Sequence, residues 1–167
     1  CLMAIFPNPT DAIRASIEIQ RELVSYNIER RIGGRKPVFS GVGVCYGSVV
    51  LGPVGFAGRL DITVLSDAVN TASRLDSLCK DLDAKILVSG VGSEIITSTD
   101  PEVMTIEHGR YKVKGKNKDV QVVEILDPVL IRKFEGLEMT KEMIEFKDVY
   151  MSQVIRKIEL MTKNKAS

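Results

Sequence analysis

Short stretches of strand-forming residues alternate along this chain with longer stretches of helical periodicity. From residue 1 the expected order is strand, helix, three strands, helix, strand, helix and two strands, followed by one more helix. Hairpin-connected strands with helices between them are typical of an α+β fold in which helices cover a mostly antiparallel sheet. We expect such a domain over residues 1–127 and a helical extension over residues 128–167.

The strands are predicted from apolar and β-branched runs that end at glycine or proline. They cover residues 1–6, 37–47, 48–55, 59–65, 84–89, 105–113 and 120–126. The second and third are expected to form a hairpin through a tight turn at Gly47, and the last two to form another through KGKNKD. In the fourth strand, alternation places Asp61 and Thr63 on the polar side.

The helices are predicted from apolar residues that recur at intervals of three and four. They cover residues 11–31, 67–82, 90–98 and, in the extension, 138–162. Thr10 is expected to cap the first helix and Ser66 the second, while Gly33 ends the first. The expected apolar stripe of the second helix is Val69, Ala72, Leu75, Leu78 and Leu82.

Composition excludes several functional classes. Lys and Arg total 23 against 22 Asp and Glu, and this net charge of +1 argues against a nucleic-acid binder. A single histidine, His108, argues against a histidine metal cluster or a Ser–His–Asp triad, and we expect it to have a structural or surface role. Three widely spaced cysteines and the lack of a membrane-length apolar run favour a cytoplasmic protein.

Three polar residues of the fourth strand and the second helix attract attention. Asn70 and Arg74 are four residues apart in the second helix, so they share one face, and Thr63 lies in the strand before it. An amide, a guanidinium and a hydroxyl in one cleft would suit a ribose, a phosphate and a base edge. Each also has an ordinary interpretation: a solvated Asn, an Arg paired with Asp76 or Asp81, and a Thr in a strand. The residues alone leave the function open.

The segment LDITVLSDAVNTASRL (60–75) resembles the signature of the class III nucleotidyl cyclase catalytic domain, the family of adenylyl and guanylyl cyclases. The main departure is Ser66, where glycine is common. CLMAIFP, GVGVCYGSVVLGPVG and GRYKVKGKNKDVQVVEI resemble further family segments in family order, across residues 1–126. The resemblance implies a ferredoxin-like cyclase palm fold, incomplete at its N-terminus because Cys1 runs directly into an apolar segment.

The resemblance also implies residue roles. Thr63 falls where the family reads the purine, Asn70 on the residue that orients the ribose, and Arg74 on the cation that stabilises the transition state at the α-phosphate. Lys114 falls on a lysine that contacts the phosphates. These positions imply an adenylate cyclase, a phosphorus–oxygen lyase that converts ATP to 3′,5′-cyclic AMP and pyrophosphate. A guanylyl cyclase stays open, because only Thr63 of the base-reading pair is visible.

The family's two metal-binding carboxylates, which hold two Mg²⁺ or Mn²⁺ ions, would lie upstream of Cys1. Family members assemble each site across a dimer, so the implied partners are ATP and a second cyclase domain, in a homodimer or otherwise. This polypeptide alone is therefore expected to be inactive. An upstream sensor domain is implied, with the enzyme in the cytoplasm or at the cytoplasmic face of a membrane.

Two other interpretations compete with the adenylate cyclase. A non-catalytic cyclase-homology module for dimerisation or nucleotide sensing would explain the fold. Such a module gives no chemical reason to keep all four of the residues Thr63, Asn70, Arg74 and Lys114. A diguanylate cyclase would require a GG(D/E)EF turn, and the sequence has none.

Overall fold

The computed structural model describes residues 2–56, 59–100, 103–112 and 119–127. Its helices are α1 (Pro9–Ile32), α2 (Asp67–Asp81) and α3 (Gly90–Thr99). Its strands are β1 (Val42–Val44), β2 (Val50–Phe56), β3 (Arg59–Leu65), β4 (Ile86–Ser89), β5 (Met104–Tyr111) and β6 (Val120–Leu126). Both the extension 128–167, with its expected helix 138–162, and the loop that carries Lys114 lie outside the described residues. No helix among the described residues has the length and apolar character needed to cross a bilayer.

The main sheet has four strands in the order β1-β4-β6-β5. The β4–β6 and β5–β6 pairs are antiparallel, and β1 pairs with β4 in parallel. Helices cover both faces of this sheet. The structure therefore confirms the expected α+β architecture of a mostly antiparallel sheet covered by helices.

The predicted hairpin through Gly47 is wrong. The strand β1 is only three residues long and lies beside β4, whereas β2 pairs with β3 in a separate two-stranded sheet. A parallel pair needs a crossover connection, and the chain between β1 and β4 provides one that contains the β2–β3 hairpin and α2. Local composition identified the strands, but it could not identify their partners.

The predicted strand at residues 1–6 is also wrong in the described part of the chain. Residues 2–6 have no regular secondary structure, and Leu2 is 90% exposed. Met3, Ile5 and Phe6 are exposed as well. None of the described strands pairs with this segment, so no described sheet buries its apolar side chains.

The helix α1 begins earlier than expected because a different residue caps it. The backbone N–H of Asp11 donates to Oδ1 of Asn8 at 2.9 Å, and Pro9 occupies the first turn, where its missing N–H costs nothing. Thr10 is therefore inside the helix and does not cap it. The expected end at Gly33 is confirmed, and Gly34 follows with a φ of +68°, which favours glycine.

Each face of the sheet has its own apolar cluster, because successive residues of β4 point to opposite sides. One cluster joins α1 and α3 to the sheet through Ile13, Ile17, Ile86, Val88, Ile96 and Ile125. The other joins α2 to the sheet through Leu75, Cys79, Ala84, Leu87 and Val122. The sheet is thus the middle of three layers.

A bidentate ion pair ties α1 to the end of β6. Arg21 Nε donates to Asp127 Oδ2 at 2.6 Å and Nη2 donates to Oδ1 at 3.0 Å. The Asp127 side chain is 5% exposed, and its carboxylate holds the pKa of Arg21 above its usual value. Paired geometry of this kind is the favourable arrangement for a largely buried carboxylate.

The helix α2 packs directly on the backbone of β1 and of the residues before it. A Cβ atom placed on Gly43 would lie 2.1 Å from the carbonyl oxygen of Ala72 and 2.4 Å from the amide nitrogen of Asp76. A Cβ on Gly41 would lie 2.6 Å from the Cβ of Cys79. Only glycine leaves room for this approach, since backbone atoms of a helix cannot move aside as a flexible side chain can.

We therefore expect Gly43→Ala to lower the free energy of unfolding by about 3 kcal/mol, the upper range for overpacking, because α2 must shift as a whole. Gly52→Ala, in β2, is the matched control, since a Cβ there meets no atom within 4 Å. Denaturant titration of both variants measures the difference. Equal stability of the two variants would contradict the packing of α2 on β1.

Candidate functional site

The site begins at the junction between β3 and α2, which one serine fixes. Ser66 is the N-cap of α2, and its Oγ accepts a hydrogen bond from the backbone N–H of Ala68 at 2.9 Å. The same hydroxyl donates to the carbonyl oxygen of Ser48 at 2.5 Å. The predicted cap is confirmed. The second bond links the start of α2 to the chain just before β2, and the local sequence gave no sign of it.

The buried face of α2 differs from the expected apolar stripe. The buried residues are Ala68, Thr71, Leu75 and Cys79, so of the predicted stripe only Leu75 is fully buried. The reason lies in Gly43 of β1 and in Gly41 before it, since a surface without side chains accepts small residues better than large ones. The face that α2 turns away from the sheet is fixed by this packing.

Asn70 and Arg74 lie on that outward face, as their spacing predicts. They are one helical turn apart, with Asn70 exposed and Arg74 half-buried. Neither side chain has a hydrogen bond or an ion pair to another described residue, and the ordinary interpretation that pairs Arg74 with Asp76 or Asp81 finds no support there. An amide and a positive charge therefore face outward on the same side of the helix.

Thr63 occupies the seventh position before Asn70, in β3, where it pairs with Gly52 of β2 and is half-buried. No hydrogen bond within the described ranges joins Thr63 to Asn70 or Arg74. The expected meeting of the three side chains in one cleft stays a prediction. Lys114 lies outside the described residues, so its position relative to α2 also stays a prediction.

A sequence model described as "Adenylate and Guanylate cyclase catalytic domain" matches residues 1–125. This match includes every element from α1 to β5 and nearly all of β6. The chain belongs to the adenylate and guanylate cyclase catalytic-domain family.

Curated relatives agree with the family. This cyclase domain is 37% identical over 134 residues to the terminal-differentiation-specific adenylate cyclase of Dictyostelium discoideum, covering 75% of this chain and 6% of that protein. It is 33% identical over 130 residues to an adenylate cyclase of Anabaena cylindrica, covering 74% and 26%. The chain thus spans only a small part of these relatives.

Solved structures agree with the fold. The adenylyl cyclase CyaB of P. aeruginosa matches with a TM-score of 0.60 and 26% identity, over 71% of this chain and 59% of that one. The adenylate/guanylate cyclase/hydrolase of Silicibacter pomeroyi matches with a TM-score of 0.57 and 24% identity, over 73% and 64%. These likenesses confirm that the domain has the cyclase palm fold.

The residues described in this cyclase domain offer no resident metal site. No group of three or more His, Cys, Asp or Glu side chains among them could hold an ion. His108 donates to or accepts from the 1%-exposed carboxylate of Glu124, with 2.9 Å between Nε2 and Oε2. This contact joins two neighbouring strands and gives His108 a structural role, as the sequence predicts.

Cys79 is equally a packing residue of the cyclase domain. Its thiol lies on the buried face of α2, and burial raises the pKa of the thiol to about 11. The thiol is therefore protonated and unreactive near neutral pH. The unfolded thiol titrates near 8.5. The stability that the buried thiol contributes is therefore fully present below pH 8.5 and is lost as the pH rises through 11.

This difference predicts an alkaline loss of stability that belongs to Cys79. Between about pH 8.5 and pH 11, the range set by the two pKa values, the free energy of unfolding should fall more steeply in the unaltered chain than in Cys79→Ala. Cys45→Ala is the matched control and should keep the steeper fall. Denaturant titrations across this range measure the slopes, and parallel slopes for all three proteins would rule out the burial effect.

Proposed function

We propose that this domain contributes the nucleotide-orienting half of an adenylate cyclase site, which converts ATP to 3′,5′-cyclic AMP and pyrophosphate. The observation that carries the proposal is the outward face of α2, where Asn70 and Arg74 lie one turn apart without a partner among the described residues. In a member of the cyclase catalytic family, side chains that have no partner on their own chain are available to bind a nucleotide substrate.

The chemistry requires a fixed cation at the reacting phosphate. The 3′-oxygen of the ribose forms a bond to the α-phosphorus, the bond from that phosphorus to the bridging oxygen breaks, and pyrophosphate leaves with the electron pair while the hydroxyl loses its proton. Negative charge spreads over the phosphate oxygens during this in-line displacement. The planar guanidinium of Arg74 can donate to two of these oxygens at once, which lowers the barrier.

The other residues orient the nucleotide. The Asn70 amide carries both donors and an acceptor, so it can hold the ribose in a reactive pose one helical turn from Arg74. We assign Thr63 to the edge of the adenine base, since its hydroxyl can both donate and accept. We assign Lys114 to the triphosphate, as a point charge on a flexible stem.

The described residues do not fit the two Mg²⁺ or Mn²⁺ ions that the family implies, because they contain no acidic cluster. We therefore assign no step to a metal on this chain. We propose a dimeric site in which carboxylates outside the described residues, on a second cyclase domain, bind the ions that neutralise the triphosphate. We place this reaction in the cytoplasm, where the free thiols of Cys45 and Cys79 stay reduced.

The second candidate is a non-catalytic module that dimerises or senses nucleotide. It needs no metal-binding cluster, and the described residues contain none. It differs from the enzyme in one measurable respect, since a sensing module would bind nucleotide without turnover.

In the full gene product, assayed with Mg²⁺ or Mn²⁺ and ATP, Arg74→Ala should lower kcat by about 10²–10³-fold with little change in KM, because the guanidinium acts mainly on the transition state. Lys80→Ala removes an exposed cation from the last turn of the same helix and is the matched control. A rise in KM with kcat unchanged would show that Arg74 has another role. Nucleotide binding without turnover by the unaltered product would favour the sensing module.

The purine assignment has its own test. Thr63→Cys exchanges a hydroxyl for a weakly hydrogen-bonding thiol, so the ratio of kcat/KM for ATP to kcat/KM for GTP should fall. Thr97→Cys, at an exposed position of α3, makes the same exchange away from the site and should leave the ratio unchanged. If Thr63→Cys also leaves the ratio unchanged, Thr63 does not read the base. A preference of the unaltered protein for GTP over ATP would identify a guanylyl cyclase.

A further inference from the structure

The hydroxyl of Ser66 makes two hydrogen bonds that reach different parts of the chain. Its Oγ accepts from the backbone N–H of Ala68, two residues later in α2, and donates to the carbonyl oxygen of Ser48, eighteen residues earlier. A hydroxyl has one proton to donate, so the bond to Ser48 uses the whole donor capacity of the side chain. The first bond caps the helix, whereas the second joins the helix to the segment before β2.

The bond to Ser48 closes the open end of the β2–β3 hairpin. The first residue of β2 pairs with the last residue of β3, and Ser48 and Ser66 lie just beyond this pair. Gly47 also lies close to the helix, because a Cβ atom placed on it would be 3.0 Å from the Cβ atom of Ala68. Two contacts thus fix the direction in which the chain leaves the hairpin and enters α2.

This junction separates two of the residues that we assign to the nucleotide. Thr63 lies in β3, three residues before Ser66, and Asn70 lies in α2, four residues after it. The backbone N–H of Asn70 donates to the carbonyl oxygen of Ser66 at 3.4 Å, which is longer than the usual distance of about 2.9 Å. The position of Asn70 relative to Thr63 therefore depends on the geometry at Ser66.

Arg74 is held by a different contact. Two residues before it and two residues after it, backbone atoms of α2 lie against β1. A Cβ atom on Gly43 would be 2.1 Å from the carbonyl oxygen of Ala72 and 2.4 Å from the amide nitrogen of Asp76. Because a helix end opens more readily than a packed helix interior, a change at Ser66 should displace Asn70 more than Arg74.

We propose that Ser66 is a positioning residue for the nucleotide, and that its bond to Ser48 sets the position of the Asn70 amide relative to Thr63. The role rests on the proposed function, because it concerns the ribose that Asn70 holds there. Ser66 acts through Asn70 and does not itself contact the substrate. Glycine, which is common at this position in the family, has no hydroxyl, so a chain with glycine there cannot form this link.

Three substitutions of Ser66 separate this role from helix capping. Ser66→Gly removes the bond to Ser48 but weakens the cap little, because glycine is an acceptable N-cap residue, whereas Ser66→Ala removes the bond and the cap. In the full gene product, with ATP and Mg²⁺, we expect both variants to lower kcat/KM by about tenfold, the order of one lost hydrogen bond. Ser66→Thr keeps the hydroxyl and should recover most of this loss. If Ser66 only capped the helix, Ser66→Ala would be much more harmful than Ser66→Gly.

A double-mutant cycle identifies the residue through which Ser66 acts. In the Asn70→Ala background, Ser66→Gly should change kcat/KM by less than about twofold, because the amide that Ser66 positions is gone. In the Lys80→Ala background, which removes an exposed cation from the same helix, the full loss should persist. Equal losses in the two backgrounds would overturn the proposal.

Amide hydrogen exchange tests the link without turnover. In the full chain, Ser66→Gly should accelerate exchange at the Asn70 amide by about tenfold and leave the amides of residues 74–79 unchanged, and Ser66→Thr should preserve the protection of Asn70. Unchanged exchange at Asn70 would overturn the proposal. Equal kcat/KM for Ser66→Gly and an active unaltered product would overturn this role alone, whereas an unaltered product without turnover would overturn the proposed function and this role with it.

Discussion

The absence of side chains at Gly41 and Gly43 allows α2 to lie against the backbone of β1 and the residue before it. Backbone atoms of α2 fill the space that a Cβ atom on Gly43 would occupy. The distance of α2 from the sheet and its rotation about its own axis therefore cannot change unless the whole helix moves. The small buried face of α2, the β1–β4 pair under it and the outward direction of Asn70 all follow from this contact.

The same contact divides α2 into two surfaces with different tasks. One side is buried and contains a thiol that stays protonated, so it contributes packing and no chemistry. The other side carries an amide and a guanidinium that no described side chain satisfies. A polar surface of this kind keeps its hydrogen-bonding capacity available to a ligand, and a rigid helix that bonds to Ser48 through Ser66 holds it in one orientation.

Elements with strong local signals were predictable, and their partners were not. The three helices and the last four strands follow from periodicity and turn residues, and Ser66 was predictable as a cap because serine precedes a periodic stretch. The segment at residues 1–6 and the hairpin at Gly47 failed because pairing depends on residues far away in the sequence. The shared face of Asn70 and Arg74 needed only helical spacing, whereas their meeting with Thr63 involves a second element and stays a prediction.

The order β1-β4-β6-β5 puts β6, the last strand among the described residues, inside the sheet. Until residues 120–126 leave the ribosome, β4 and β5 have no strand between them, and the edges of both strands that will face β6 remain unpaired. The nascent chain therefore carries these open strand edges until β6 emerges, a state prone to misassembly with other chains. Because the β4–β6 pair joins residues far apart in sequence, such as Leu87 and Glu124, its formation is expected to be a later and slower step of folding than that of the local β5–β6 hairpin.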